Sequence, residues 1–358
     1  MYRRQPMKIK VAILDDNKEY LVRITAAFTN RFADKLEIYS FSDLETAFQS
    51  LRTNRINVFI VSDTYDVDTD RIPKRCGFAY LVDSTGIETF KGQPAICRFQ
   101  RTETIYKEIL GIFSDISPDF GFEGNENGTA IVFASASGGA GSSTVAAAFA
   151  KRQAMKGKRV LYLNLEQFGN ADIFFEGEGQ FGLSDVVFAV KSKKMNLSLK
   201  LESYIKIDPS GVGFYSAAKN PLDIKEIDTE DIGNIIAAIR STGSYDIIVI
   251  DADFFVSKIS MELMKCSAIT VFVSDGTKVS NDKFMRAYSA LETYEQQRDV
   301  SVIGKIAVVY NKMSGGKSNA MFDLPVKVCG KIPYIPSSDE RKTVNEIMTD
   351  ATLDRIFE

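Results

Sequence analysis

The stretch that decides the fold is Thr129-Ala130-Ile131-Val132-Phe133-Ala134-Ser135-Ala136-Ser137-Gly138-Gly139-Ala140-Gly141-Ser142-Ser143-Thr144-Val145. It opens on an apolar run (130–134) of strand length and passes through a loop of small residues. It then enters a helical pattern over 145–156 that Gly157 stops. In a strand, glycine loop and helix of this kind, main-chain N–H groups can turn toward a phosphate while the helix N-terminus adds a favourable dipole. On this reading Ser137, Gly138, Gly139, Ala140, Gly141 and Ser142 form the cradle. The Ser143 hydroxyl ligates Mg²⁺ and that of Thr144 meets an α-phosphate oxygen. The ligand expected is ATP with Mg²⁺. The stretch 129–150 is uncharged over a length that could span a membrane, but its middle is too polar and glycine-rich for that.

Working outward, further landmarks fall where predicted strands end. The run 160–163 ends in Asn164-Leu165-Glu166. Asp246-Ile247-Ile248-Val249-Ile250-Asp251 is an apolar strand closed by an acid of Walker B type, with Asp253 two residues on. The run 306–310 is followed by Asn311-Lys312, and a last segment reads Ile332-Pro333-Tyr334-Ile335-Pro336, then Asp339. Doubly wound sheets bind ligands at the carboxyl ends of their strands.

The loop resembles the deviant Walker A sequence of the MinD/ParA family, Lys-Gly-Gly-x-Gly-Lys-Thr-Thr, with Gly138, Gly139 and Gly141 at the glycine positions. Both lysines are replaced, by Ser137 and Ser142. The resemblance implies that the residue at Ser142 should bind the β/γ-phosphates and that at Ser137 should cross a dimer interface. It implies that Asp251 holds Mg²⁺ through water and that Asn311, with Lys312 beside it, reads adenine. The backbone around Pro336 should wrap the base. The acids near the metal and attacking water fall at Asn164 and Glu166, so the catalytic set is Glu166, Asn164 and Asp251, departing from Asp-x-Asp. A cation ~4 Å from a phosphate oxygen contributes about 4 kcal/mol at an effective dielectric of 20, and trans-acting cations accelerate phosphoryl transfer by roughly 10³–10⁵. Losing both lysines therefore weakens hydrolysis more than binding, making the chain at most a slow ATPase. Lys278 and Lys312 are candidates for a replacement cation.

Toward the N-terminus, strand-like runs at 9–14, 36–39, 58–61, 78–82 and 95–97 alternate with helical patterns. One helix carries Leu21, Ile24, Phe28 and Phe32 along a face. A second follows Ser42-Asp43-Leu44-Glu45 in capping-box form, and a last one covers 102–113. Such alternation builds a parallel sheet with helices on both faces. The order resembles the receiver domain of response regulators. Asp15-Asp16 match its metal-binding acids, the phosphoryl acceptor falls on Ser62 or Asp63, and Asp83-Ser84 end the fourth strand. Where the family has a lysine after the fifth strand, Phe99, Gln100 and Arg101 stand here. This implies a degenerate receiver with phosphate charge largely unneutralised, serving as a docking module. The expected division is a receiver-like domain over 1–116, a linker over 117–128 and a MinD/ParA-like domain over 129–358. The fold class is two doubly wound α/β domains, flavodoxin-like and then P-loop.

This pairing, with Phe181-Gly182-Leu183-Ser184-Asp185-Val186 and Asn220-Pro221, resembles the TadZ/CpaE proteins of Tad-type pilus assembly. It implies a cytoplasmic homodimer joined through its nucleotide face. It also implies protein partners in a pilus or secretion apparatus and placement at a cell pole or membrane through those partners. A scaffold holding structural ATP is the alternative. A remoter one is an NAD(P)-dependent short-chain dehydrogenase, suggested by Tyr215-Ser216-Ala217-Ala218-Lys219. Against it, the loop lacks G-x-G-x-x-G and the Tyr-Lys pair is not in a helical context.

Composition narrows the rest. The 358 residues carry a net charge of −3, giving no reason to expect nucleic acid as a partner. There is no histidine, which excludes Ser-His-Asp catalysis and His-ligated zinc. The four cysteines form no CxxC and read as reduced thiols. No signal peptide is expected, and the acidic ending Thr349-Asp350-Ala351-Thr352-Leu353-Asp354-Arg355-Ile356-Phe357-Glu358 gives no basic amphipathic helix for direct membrane insertion.

Overall fold

The computed structural model describes residues 8–116, 128–193, 196–298, 300–316 and 318–357. The chain divides into two compact units, Met1–Asn125 with Lys193–Tyr204, and Glu126–Ser192 with Ile205–Glu358. Of the linker expected over 117–128, all but Gly128 lies outside the described residues.

The first unit runs β1 (Ile9–Leu14), α1 (Lys18–Arg31), β2 (Leu36–Phe41), α2 (Leu44–Thr53), β3 (Val58–Ser62), β4 (Gly77–Val82), β5 (Thr89–Phe90), β6 (Gln93–Cys97) and α3 (Thr102–Ile116). The sheet order is β2-β1-β3-β4-β6-β5, parallel except for the short β5. That is the doubly wound order expected, with β5 as an added edge hairpin strand. Because both of their faces are covered, the central strands β3 and β4 read as continuous apolar runs rather than alternating ones. Ile9, Val11 and Ile13 enter the core under α1 and α3, while Ala12 and Leu14 enter the core on the α2 side. Asn17 caps α1 by accepting from the Tyr20 amide, and Asp43 caps α2 by accepting from Thr46.

The second unit contains β7 (Thr129–Ala134), α4 (Ser142–Met155), β8 (Val160–Asn164) and α5 (Leu183–Lys191). The next helix, α6 (Leu197–Tyr204), belongs to the first unit. Its Leu199 is fully buried in the core with Ile105, Tyr106 and Ile109 of α3. The Lys107 ammonium meets Glu202 Oε1 at 2.5 Å, a buried ion pair between α3 and α6. The chain thus leaves the second unit after α5, adds one helix to the first, and returns. It continues with β9 (Lys206–Ile207), β10 (Gly213–Phe214), α7 (Leu222–Lys225), α8 (Thr229–Ser241), β11 (Ile247–Asp251) and α9 (Lys258–Cys266). The remainder is β12 (Ile269–Ser274), α10 (Lys278–Arg298), β13 (Ile306–Met313), β14 (Lys327–Pro333) and α11 (Glu340–Ile347).

Eight strands make the second sheet in the order β14-β13-β12-β7-β11-β8-β10-β9, with only β9 antiparallel to its neighbour. β7 lies centrally, so the loop after it opens at the middle of the carboxyl edge. Helix α4 explains its own alanine content. Residues 145–150 are fully buried, and Ala146, Ala147 and Ala148 let it pack close beneath the sheet, where Phe149 meets Phe133.

Candidate functional site

The loop between β7 and α4 is held by its own small residues. The Ser135 hydroxyl lies 2.7 Å from the Val273 carbonyl and 2.8 Å from that of Ser137, and it accepts from the Ser137 amide. Ser137 is buried against the loop, while Gly138 and Gly139 are exposed. Gly139 and Gly141 have φ of 81° and 84°, the left-handed region that a side chain disfavours. At Gly141 space forbids a side chain too, since a Cβ would stand 2.6 Å from Asn311 Nδ2. Ser142, Ser143 and Thr144 begin α4, half-buried, with Gly141 as the cap residue and no side-chain cap bond. Their N-terminal amides are the donors that an anion would satisfy.

Asp251 ends β11 beside this helix start and is fully buried. Its Oδ2 accepts from the Tyr162 hydroxyl at 2.7 Å and from Asn164 Nδ2 at 3.0 Å. Its Oδ1 has no hydrogen-bond partner. Burial pushes this carboxyl well above the usual carboxylate range. The charge of Glu166 adds to the shift, and Tyr162 and Ser143 offset it only in part. Ser143 Oγ donates to Glu166 Oε2 at 3.0 Å. Burial raises Glu166 as well, against the lowering by Ser143 and with a further rise from Asp253. Two acids that burial holds toward the protonated form thus lie beside one serine hydroxyl.

Asn164 does two tasks. Besides donating to Asp251, its Oδ1 accepts from the Glu166 amide at 3.0 Å, which fixes the turn carrying Glu166. Beyond it, residues 166–170 with Leu183, Ala217, Ala218, Pro221 and Ile224 line a cleft of about 190 Å³.

On the opposite side, Asn311 and Lys312 at the end of β13 reach the loop. Asn311 is buried, and its Nδ2 donates to the Ala140 carbonyl at 2.9 Å. Lys312 Nζ donates to the Gly139 carbonyl at 2.8 Å. Lys278 starts α10 and is exposed, so of the two candidate cations Lys312 is the one seen against the loop. Pro336 is exposed on the segment after β14, where the Tyr334 amide donates to Met313. Tyr215 is buried on an extended segment and Lys219 is exposed at a bend, not the single helical face a Tyr-Lys catalytic pair needs. The sequence reading missed Tyr162 and Ser135. Tyr162 sat inside an apolar run and read as core; Ser135 had no spacing signal.

In the first unit, Asp15, Ser62, Asp63 and Asp83 come together at the carboxyl ends of β1, β3 and β4. Contrary to the expectation of unneutralised charge, the pocket does have a cation. Arg98, directly after β6 and half-buried, pairs with Asp15 at 3.0 Å, Asp63 at 3.5 Å and Asp83 at 2.6 Å, and donates to Ser62 Oγ at 3.1 Å. It stands one residue before the stretch where a lysine was sought. Burial raises the Asp15 carboxyl, with the Asn17 amide and Arg98 acting against it. Ser62 is buried as the last residue of β3, and Asp63 is the first beyond it.

Among the described residues no helix is long and apolar enough to cross a membrane, and no three His, Cys, Asp or Glu side chains converge to cage a metal.

Residues 7–114 match the family model for the TadZ-like receiver domain. No curated protein matches the chain. Among solved structures, the chain is similar to a ParA family ATPase from Chlorobium tepidum (TM-score 0.51, 16% identity, 65% of this chain and 99% of that one). It is similar to MinD in the MinC:MinD cell division complex of Aquifex aeolicus (0.51, 19%, 64% and 94%). A third is the septum site-determining protein MinD of Pyrococcus horikoshii, complexed with Mg-ADP (0.50, 17%, 64% and 92%). These likenesses establish the fold. The chain therefore joins a receiver-type domain to a domain of the MinD/ParA fold. Its first domain matches the TadZ-like receiver model, and the pairing of the two domains matches the TadZ/CpaE resemblance seen in the sequence.

Proposed function

We propose that the second domain binds ATP with Mg²⁺ and that the protein serves as a nucleotide-dependent dimeric hub for a Tad-type pilus or secretion apparatus. The observation that carries the nucleotide reading is Asp251. A fully buried carboxylate oxygen without a partner is costly, and this one lies beside Ser143 at a helix start whose preceding glycines are in the left-handed region. A divalent ion removes that cost. The residues fit it: Ser143 as a direct oxygen ligand, Asp251 through water, and the α4 amides with Thr144 for the phosphates. Bound Mg²⁺ supplies the positive charge that screens the triphosphate and offsets the two acids.

This chain's residues support binding better than turnover. Serine at 137 and 142 brings no charge to the phosphates, and Asn164 cannot take a proton from water. Glu166, which accepts from the Ser143 hydroxyl, is the carboxylate we assign to that task. Hydrolysis is slow or absent on this account.

The dimer reading rests on the apolar side chains that rim the same edge. Phe168 follows β8, and Phe255 and Val256 follow β11; they are 81%, 70% and 49% exposed. A second copy facing this edge would cover them and the nucleotide together. The first domain, with its pocket filled by Arg98, then presents a docking surface to the apparatus, at a cell pole or membrane reached through partners. The alternative is a permanent scaffold in which ATP never turns over; Asn164 in place of an acid favours it. Sedimentation of the protein with and without MgATP separates the two. A shift from monomer to dimer supports the switch, and an unchanged species with tightly bound nucleotide supports the scaffold.

A further inference from the structure

We infer that Asn311 and Lys312 are positioning residues that preform the phosphate loop. The inference rests on the nucleotide-binding reading above and assigns the way this chain holds its loop without either loop lysine.

Two consecutive side chains grip two consecutive carbonyls: Lys312 Nζ the oxygen of Gly139, and Asn311 Nδ2 the oxygen of Ala140. In a trans peptide the carbonyl and the following N–H point in opposite directions. Fixing the Gly139 oxygen toward β13 therefore turns the Ala140 amide away from β13. Fixing the Ala140 oxygen does the same for the Gly141 amide. The side they are turned to is the cradle side, where an anion would lie. The clasp sets the direction of two phosphate donors before any ligand arrives, which is the saving that preorganisation brings to affinity.

Three further features belong to the same arrangement. Asn311 is 2% exposed, so its amide is committed to the loop within the protein interior. Lys312 has φ of 56°, a conformation that bulky residues adopt at a cost, and the pairing of β13 with β14 shifts register between Tyr310 and Met313. The strand thus breaks its regularity where it delivers the lysine. Gly141 lacks the Cβ that would collide with Asn311 and crowd Lys312 Cε, 3.4 Å from that position.

The test uses the full chain and two magnesium-loaded probes, ATP and inorganic tripolyphosphate, the second with neither base nor ribose. Affinities are measured by calorimetry for the wild type, Asn311→Ala, Lys312→Met and Lys312→Arg. A clasp predicts that Asn311→Ala and Lys312→Met each weaken both probes by the same factor, about tenfold, and that Lys312→Arg, which still donates to a carbonyl, restores most of it. Loss with ATP but undiminished tripolyphosphate binding would make Asn311 a base reader and overturn the inference. So would unchanged binding of both probes by the variants. Wild-type protein that binds neither probe would instead remove the nucleotide reading itself. Melting temperatures of the ligand-free variants check folding, and amide hydrogen exchange at 139–141 gives a readout independent of ligand: faster exchange in Lys312→Met is the expected result, and equal exchange counts against the clasp.

Discussion

The Tyr162 hydroxyl donates to Asp251 Oδ2 across 2.7 Å inside the sheet, while Oδ1 of the same buried carboxylate makes no hydrogen bond. Tyrosine and asparagine together hold the acid rigid and half-satisfied. Replacing Asp251 by Asn removes the buried charge while keeping the shape. The ligand-free variant should melt no lower than the wild type, and the extra stabilisation given by MgATP over ATP with chelator should vanish. Scanning fluorimetry with the two ligand mixtures reads both effects. A magnesium-dependent shift that survives the substitution would move the metal elsewhere.

The same carboxylate sets a pH dependence. Its folded-state affinity for protons is raised, so the folded form binds a proton more tightly than the unfolded chain does. Stability from this group is therefore greatest below the ordinary carboxylate range near pH 4, and it falls as pH rises through the elevated folded value. Glu166 acts in the same direction. Denaturant titrations without metal should show a downward slope above pH 4 that is shallower in Asp251→Asn than in the wild type. Equal slopes would contradict the assignment.

Arg98 gathers three carboxylates and a serine, so Arg98→Ala leaves a buried Asp15 unpaired. A loss of about 3 kcal/mol in the first domain is expected, measured by urea unfolding. In the wild type the guanidinium already pairs with Asp15 and Asp63, the acids that the receiver resemblance assigns to a metal and a phosphoryl group. Acetyl phosphate with Mg²⁺ should therefore leave the intact mass of the protein unchanged. A phosphate adduct on Asp63 or Ser62 would show that the pocket opens.

The Lys107–Glu202 pair fastens α6 to α3. Burial drives the Lys107 ammonium toward the neutral form, and Glu202 counters it. Glu202→Leu alone should destabilise by roughly 3–5 kcal/mol, whereas Lys107→Met with Glu202→Leu should recover most of the loss. A double variant as unstable as the single would mean that the α6 contact depends on the charge itself.

Restoring the loop lysines as Ser137→Lys with Ser142→Lys should raise phosphate release from ATP at least tenfold, a modest share of the roughly 10³–10⁵ that such cations contribute elsewhere. No gain would place the limit at Asn164 instead.

Much of the fold was legible because its strands are buried on both faces. The runs 11–14, 58–61 and 78–82 stand out as uninterrupted apolar segments, and the glycine loop declared the central strand of the second sheet. What escaped depends on tertiary placement. An eight-residue helix such as α6 carries an apolar side but no sign of which domain covers it. Arg98 was overlooked because a lysine was sought after it, although a residue directly past a strand end is well placed to turn into the pocket. The hydrogen bonds of Asn311 and Lys312 to main-chain carbonyls follow from how β13 lies against the β7 loop, which no local pattern encodes. Tyr162 resembles any core aromatic until Asp251 is found beside its hydroxyl.

The most direct measurement is isothermal calorimetry of ATP into the purified chain, with Mg²⁺ and with a chelator. The account predicts saturable binding near one nucleotide per chain that weakens markedly when the metal is removed. No heat and no saturation at millimolar ATP with Mg²⁺ present would contradict it.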